Sequence, residues 1–196
     1  MSVDLTGIRI QSATLSPVMF GRQTRSDQGG TIDYDDRLGN RWSMQVTTPP
    51  MRYEPEGRLL IGDLWEAVRV GGIFRVVQPE FVPLAYGEPV VASNTLTGRS
   101  IPLTGLTPNV AIKRGQWVTF IHAGRRYFDQ VRAQVIADAS GQATISTRFL
   151  LRESLAAGDQ VLLAAPEIEG FVDGDLPLNL PVDCVTSFTF TVTEAR

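Results

Sequence analysis

Hydrophobic and polar positions alternate along most of this chain, which is the pattern of half-buried β-strands. The clearest case is the closing segment CVTSFTFTVTEAR, whose apolar members are Val185, Phe188, Phe190 and Val192, with threonine and serine between them. Other segments of alternating or β-branched residues are GIRIQSATLSPVMF, RWSMQVTTPP, IFRVVQP, QWVTFI, RRYFDQVRAQVIADA, QATISTRFLL and DQVLLAAP. Glycine and proline separate them, so the pattern predicts a mainly β fold.

One segment, PEGRLLIGDLWEAVRVGG from Pro55 to Gly72, has helical spacing instead. Its apolar residues form one face of a helix: Leu60, Ile61, Leu64, Trp65 and Val68. Proline at its start and the pair Gly71-Gly72 at its end are typical helix boundaries. We predict one α-helix here, with Leu64 and Trp65 buried against a sheet.

The composition changes near residues 84–88, where PLAYGEPVVASNTLTGRSIPLTGLTPN is rich in Pro, Gly, Thr and Ser. The strands that follow are short and recur about every ten residues, which favours a small barrel or sandwich. The long closing strand needs a partner, and we expect it to return to the first sheet. We therefore predict a β-sandwich with one packed helix from residues 1–83 and 171–196, and an inserted small β-barrel from residues 86–168.

The stretch IKRGQWVTFIHAGRRYFDQV, residues 112–131, contains the only histidine, His122, and the only lysine, Lys113. Ala123-Gly124 between two strand-like segments predicts a β-hairpin with a tight turn. A histidine without a second histidine or a cysteine nearby does not form a His-rich metal site. We expect His122 to have a structural or surface role.

Several other residues in the chain are candidates for contacts with a partner. Arg125 and Arg126 suit phosphate groups, but they also fit alternation on a barrel strand, one inward and one outward. Trp117 and Tyr127 are candidates for stacking on sugars if exposed. Glu167 and Glu169, two apart in APEIEGF, are expected to share one face of an extended segment.

Two further features are expected to be structural. The carboxylates Asp33–Asp36 lack the glycine and the late glutamate of an EF-hand loop, so a solvated turn is predicted. Cys184, the only cysteine, excludes an internal disulfide and a cysteine-based zinc site, and its strand-like setting predicts a buried thiol.

Composition and motifs narrow the class of protein. The 196 residues are 43% hydrophobic and 20% charged, as in a folded globular protein. No stretch has the roughly 18 apolar residues of a membrane span, and the start MSVDLTGIRIQSATL does not have the pattern of a signal peptide. There is no nucleotide-binding glycine motif and no G-x-S-x-G serine. We predict a non-enzymatic protein without metal or cofactor.

The net charge of −3 is unevenly distributed. Residues 99–152 contain eight basic and two acidic residues, whereas residues 153–196 contain eight acidic residues and one basic residue. This asymmetry indicates either a nucleic-acid surface or a subunit whose basic face meets the acidic face of the next copy. The basic residues are scattered singly or in pairs, which weakens the nucleic-acid interpretation.

The order of these elements resembles the distal tail proteins among the minor tail proteins of long-tailed bacteriophages. The resemblance covers about residues 8–193. It rests on GNRWSMQVTTPPM, then the helix in EPEGRLLIGDLWEAVRVGGIFRV, then the segments of the insertion from GEPVV to LLRESLAAGDQVLLAAPEIEGF, and then the Thr- and Phe-rich terminal strand. It implies a β-sandwich with one packed helix, plus an inserted barrel of the oligosaccharide-binding type or a lectin-like sandwich.

The same resemblance implies a function as a virion protein that is assembled in the host cytoplasm. The expected assembly is a homohexameric ring at the tail tip that joins the tail tube to the baseplate hub, and no catalytic residues carry over. Ring formation needs head-to-tail interfaces, for which the opposed charges are suited. Arg125, Arg126, Trp117, Tyr127, Glu167 and Glu169 are the candidate interface residues. Two alternatives remain open: a carbohydrate-binding module for host-surface glycans, and a single-stranded nucleic-acid-binding barrel.

Overall fold

The computed structural model describes residues 2–24, 30, 33–35, 37–96, 98–173, 176–178 and 182–195. Within these ranges the chain forms one α-helix, α1 (Arg58–Val70), and eighteen strands. The strands are β1 Val3–Asp4, β2 Ser12–Val18, β3 Arg22–Thr24, β4 Asp33–Asp35, β5 Arg41–Thr47, β6 Met51–Arg52, β7 Gly72–Arg75, β8 Gly87–Val91, β9 Ser100–Leu106, β10 Ala111–Ile112, β11 Trp117–His122, β12 Arg125–Gln130, β13 Val135–Ile136, β14 Ala143–Ser146, β15 Gln160–Leu162, β16 Glu167–Asp173, β17 Val185–Thr186 and β18 Thr189–Glu194.

Two six-stranded sheets contain most of these strands. The first sheet has the order β1-β7-β16-β18-β5-β2, and the second has the order β12-β11-β15-β8-β9-β14. Neighbours in both sheets are antiparallel except β1 and β7, which are parallel. The predicted class, mainly β with one helix, is confirmed.

The chain leaves the first sheet after β7 and returns to it at β16. Strands of the second sheet all lie between residues 87 and 162. The return begins at Glu167, which is earlier than residue 171, where the sequence placed it. The two sheets thus follow the proposed order along the chain, and their independence as folding domains stays a prediction.

The second sheet curls until its two edge strands meet. Beyond the ends of β12 and β14, Arg132 N donates to Ser146 O at 2.7 Å and Arg148 N donates to Gln130 O at 2.9 Å. β8 and β9 belong to this sheet, although their sequence is rich in proline and glycine. Ile101 and Leu103 of β9 are buried in its core, which outweighs the weak strand propensity of their neighbours.

The helix is confirmed, but one of its two predicted buried anchors is wrong. α1 buries Leu60, Ile61, Leu64 and Ala67, and it ends where Gly71 adopts a φ of 86°. Trp65 is 48% exposed, because it lies about 100° around the helix from Leu64. Val68, in the last turn, is 38% exposed. The buried face is therefore narrower than the sequence suggested, and it includes Ala67, which the predicted apolar face did not.

The closing segment is also different from the prediction. It divides into β17, which pairs with β6, and β18, which lies between β5 and β16. Cys184 is exposed with a φ of 58° and is not a buried strand residue. Val185 is 40% exposed, whereas Phe188, Phe190 and Val192 are buried as predicted.

The predicted solvated turn at Asp33–Asp36 lies partly outside the described residues. The backbone of residues 33–35 forms β4, which pairs with β3, and Asp35 is exposed. Asp36 is not among the described residues.

The described residues form two hydrophobic cores, one for each six-stranded sheet. The first core is built from α1 and the first sheet, and includes Met44, Leu64, Phe74, Ile168 and Val192. Phe128 and Phe149, which come from the middle of the chain, also belong to it. The second core lies inside the curled sheet. The first core therefore continues into the region where the two sheets meet.

Candidate functional site at the seam between the sheets

Strand β12 is an edge strand of the second sheet, and it lies against β16 and β5 of the first. It belongs to the predicted hairpin: β11 and β12 pair from Trp117–Gln130 to His122–Arg125, and Ala123 and Gly124 turn with φ of 48° and 76°. Positive φ at both central residues matches the twist of a two-residue hairpin. We call the contact region between β12 and the first sheet the seam.

Carboxylates of the first sheet cap the backbone of β12. Arg126 N donates to Glu169 Oε2 at 2.9 Å, and Phe128 N donates to Glu194 Oε1 at 2.9 Å. Unpaired N–H groups on a buried strand edge would be costly, and a carboxylate is a strong acceptor for them. The seam therefore uses side chains where an ordinary sheet would use another strand.

The outer part of the seam is an ion-pair cluster. Arg126 Nε lies 2.5 Å from Glu167 Oε2, and Ser2 Oγ donates to Glu169 Oε1 at 2.6 Å. The side chains of Arg126 and Glu167 are 22% and 14% exposed, so solvent screens this pair only in part. Glu167 and Glu169 therefore meet the same arginine, on the shared face that their spacing indicated.

Thr119 of β11 adds a second connection to β16. Its Oγ1 donates to Glu167 O at 2.7 Å and accepts from Glu167 N at 2.8 Å. Thr119 is fully buried, and one hydroxyl thus satisfies both main-chain groups of a residue in the other sheet.

The inner part of the seam contains a buried salt bridge between Arg152 and Glu194. Glu194 is 1% exposed, and its Oε2 also accepts from Trp42 N at 3.2 Å. Burial raises the pKa of Glu194, while Arg152 and the N–H donors act in the opposite direction. Such a pair holds its partners strongly, because removal of one charge leaves the other buried and unpaired.

Asp129 is the second buried carboxylate of the seam. It is 7% exposed and accepts from Gln130 N at 2.7 Å, Phe149 N at 3.0 Å and Trp42 Nε1 at 3.1 Å. Burial raises the pKa of Asp129 to about 7 against these three donors, and the nearby charge of Glu194 adds to the rise. The seam therefore contains a carboxyl group that titrates near neutral pH.

Aromatic rings fill the space beside these polar groups. Trp117 stacks on Phe128 with centroids 5.0 Å apart, and its ring is perpendicular to that of Trp42 at 4.8 Å. Trp42 also packs on Phe149 at 5.0 Å. Rings from both sheets therefore interlock, which adds packing energy to the polar contacts.

His122 lies outside the seam, at the end of β11. Its Nδ1 is 2.7 Å from Asp159 Oδ2, and the same oxygen accepts from Ala156 N at 2.6 Å. Within the described residues, no group of three or more His, Cys, Asp and Glu side chains is placed to hold a metal ion. The arrangement fixes the hairpin to the turn before β15, in line with the structural role expected for His122.

The six candidate residues thus fall into three environments. Arg126 contacts both Glu167 and Glu169 in the seam. Tyr127 is 8% exposed in the second core, and Trp117 is half-buried with one ring face on Phe128, so Tyr127 offers no open ring for sugar stacking. Of the six, only Arg125 is exposed, at the hairpin tip.

The central residues of the seam, Asp129, Arg152 and Glu194, were not among the residues that the sequence pattern indicated. A signal existed for two of them. Glu194 continues the inward series of Phe190 and Val192, and Asp129 lies on the same face of its strand as Tyr127. A charged residue at an inward position of a regular strand indicates a buried, paired group.

No protein-family model matches this chain, and no curated protein matches it. The helix α1 is too short and too polar to cross a membrane, and it is the only α-helix in the part of the chain that the structure describes.

Proposed function

We propose that this protein is a non-enzymatic structural subunit that assembles with copies of itself into a ring. From its resemblance to distal tail proteins, the ring belongs to the tail tip of a long-tailed bacteriophage, between the tail tube and the baseplate hub. Assembly takes place in the host cytoplasm, and the mature location is the virion.

The observation that carries the self-assembly proposal is the open edge of β2. This seven-residue strand is the last of the first sheet and pairs only with β5 among the described strands. Met19 and Phe20, which follow it, are 53% and 47% exposed. An uncovered strand edge is a template for another chain, and ring closure requires a surface of this kind that differs from its complement.

The seam supports a structural role for the polar residues around it. Arg126, Glu167 and Glu169 hold the two sheets together, and the buried pair Arg152–Glu194 joins the same elements. A subunit that transmits force between neighbours benefits from two sheets fixed as one body. Part of the opposed charge in the sequence is thus used within one chain, while Arg125 at the hairpin tip is exposed to a neighbour.

Sedimentation of the purified chain over a range of concentrations, with electron microscopy of the assembled fraction, tests this proposal. We expect a concentration-dependent ring. Thr14→Lys with Ser16→Lys places two charges on the exposed β2 edge and should weaken assembly by about tenfold or more, because lysine on an edge opposes strand addition. Ser140→Lys with Gln142→Lys, in an exposed turn of the second sheet, is the matched control. A chain that is monomeric at every concentration would contradict the proposal.

A further inference from the structure

A groove beside β2 has one wall from the first sheet and one from the second. Its volume is about 390 Å³, and its lining includes Ala13, Leu15, Phe81, Lys113, Arg114 and Trp117. Ala13 and Leu15 belong to the open edge strand, and Lys113 and Arg114 to the turn before β11. We call this the cationic groove.

Lys113 and Arg114 line this groove. Two further exposed cations, Arg132 and Arg148, are connected to the same turn by hydrogen bonds. Gly115, next to Arg114, accepts from Gln130 Nε2 at 3.1 Å, and Gln130 Oε1 accepts from Arg148 Nε at 3.0 Å. Gly115 N also donates at 2.8 Å to the carbonyl of residue 131, which precedes Arg132. Each of the four cations is therefore within two residues, along the chain, of a member of this hydrogen-bond network.

The charges of these four cations have no acidic partner within ion-pair distance in the part of the chain that the structure describes. Asp129 is close in sequence, but it is buried and accepts only from N–H groups of the seam. Glu80 is exposed and adjacent to Phe81, yet it does not line the groove.

The lining of the groove is partly apolar, and Trp117 forms its floor. Trp117 is held by its stack on Phe128, and its backbone N donates to Gln78 Oε1 at 3.3 Å. The groove thus combines an open strand edge, an aromatic floor and a cationic wall. An extended polypeptide uses all three, whereas a nucleic acid uses the cations and the ring but not the main-chain edge.

We propose that the cationic groove receives an extended acidic segment of a second copy of this chain. The net charge is −3 although this patch carries four positive charges, so the rest of the chain carries −7 and a second copy is electrostatically complementary to the patch. The inference rests on the proposed ring and assigns it an interface: the edge of β2 supplies main-chain pairing, and Lys113 and Arg114 select an acidic strand.

A carbodiimide cross-linking experiment tests this assignment directly, because Lys113 is the only lysine of the chain. The reagent joins the Lys113 amine to a contacting carboxylate as an amide, with loss of water. Assembled protein is prepared from a mixture of copies with ordinary and heavy nitrogen, so that mass spectrometry distinguishes links between copies from links within one. We expect a mixed-isotope peptide that joins Lys113 to an acidic residue of the other copy.

The matched variants are Lys113→Glu with Arg114→Glu, and Arg9→Glu with Arg69→Glu. The two double variants change the net charge by the same amount. The side chains of Arg9 and Arg69 are 77% and 78% exposed. The groove variant should raise the half-assembly concentration by at least about tenfold, and the control by less than about threefold. Circular dichroism and sedimentation of the dilute monomer check that both variants fold.

The outcomes separate the inference from the function on which it rests. If the wild-type chain forms rings, but the groove variant assembles equally well and Lys113 gives no link between copies, the inference is wrong and the ring stands. If the wild-type chain never associates, both fail. If a single-stranded oligonucleotide binds the wild-type chain and not the groove variant while assembly is unchanged, the groove is a nucleic-acid surface and the inference is overturned.

Discussion

The edge strands β12 and β2 both present backbone groups at the side of a sheet, and the protein treats them in opposite ways. Glu169 and Glu194 accept the outward N–H groups of β12, and Thr119 joins the adjacent β11 to β16. β2 has serine, threonine and proline, and no described strand covers its outer edge. The capped edge fixes one sheet to the other inside the subunit, whereas the open edge is left for a partner. Substitutions at the capped edge should therefore lower the stability of the subunit, whereas substitutions at the open edge should weaken its assembly.

Loss of Glu194 should have the largest effect on stability. Glu194→Ala leaves Arg152 buried without its partner and removes the acceptor of Phe128 N and Trp42 N. We expect the free energy of unfolding to fall by about 3–5 kcal/mol, measured by urea denaturation. Glu153→Ala, at an exposed position, should change it by less than about 0.5 kcal/mol. Equal stability of the two variants would show that the seam is not a source of stability.

The seam should also make stability depend on pH. Because the pKa of Asp129 rises from 3.8 to about 7 on folding, the folded protein retains a proton that the unfolded chain has lost between these values. The free energy of unfolding should therefore fall as pH rises from about 4 to about 7, by a few kcal/mol at most, and the raised pKa of Glu194 acts in the same direction. Urea denaturation at several pH values measures this slope.

Asp129→Asn is the test variant for that slope. We expect this variant to be less stable than the wild type, because an amide cannot accept from all three donors of Asp129. Its free energy of unfolding should, however, change less with pH. Glu153→Gln serves as control and should keep the wild-type slope. A variant with an undiminished slope would assign the titration to another group.

Charge reversal at two adjacent arginines should distinguish the contribution of a seam residue to stability from that of a surface residue. Arg126→Glu places a third carboxylate beside Glu167 and Glu169 and should reduce the free energy of unfolding by about 1–3 kcal/mol. Arg125→Glu, at the exposed tip of the hairpin, should change it by less than about 0.5 kcal/mol. Thermal and urea unfolding of the two single variants give this comparison, and equal losses would mean that the Arg126 ion pair contributes nothing.

The smallest effect on monomer stability is expected at the open edge. Thr14 and Ser16 are exposed, so the double lysine variant should unfold within about 0.5 kcal/mol of the wild type. Its association should nevertheless weaken, as described for the ring. A large loss of monomer stability would indicate that this edge is covered within the subunit.

Much of the fold was predictable because local patterns dominate there. The period-two alternation of the terminal strand located Phe190 and Val192 in the core, and Ala123-Gly124 located the hairpin turn. Trp65 was assigned wrongly because helical periodicity gives a face but not its width, which depends on what packs against it. Cys184 was assigned wrongly because its strand-like setting did not reveal the left-handed turn residue that precedes β17.

The sequence by itself determined the β class, the single helix, the hairpin and the return of the last strand, since each follows from spacing along a few neighbouring residues. Only the tertiary structure decided which charges meet. Arg126 and Glu167 are 41 residues apart, and Arg152 and Glu194 are 42 residues apart, so no local pattern could pair them. The uneven distribution of charge was visible in the sequence. Which charged residues pair in the seam and which line the cationic groove depends on which side chains the two sheets bury. Burial is a property of the packed molecule, because it is the removal of water by distant parts of the chain that makes a charge require a partner.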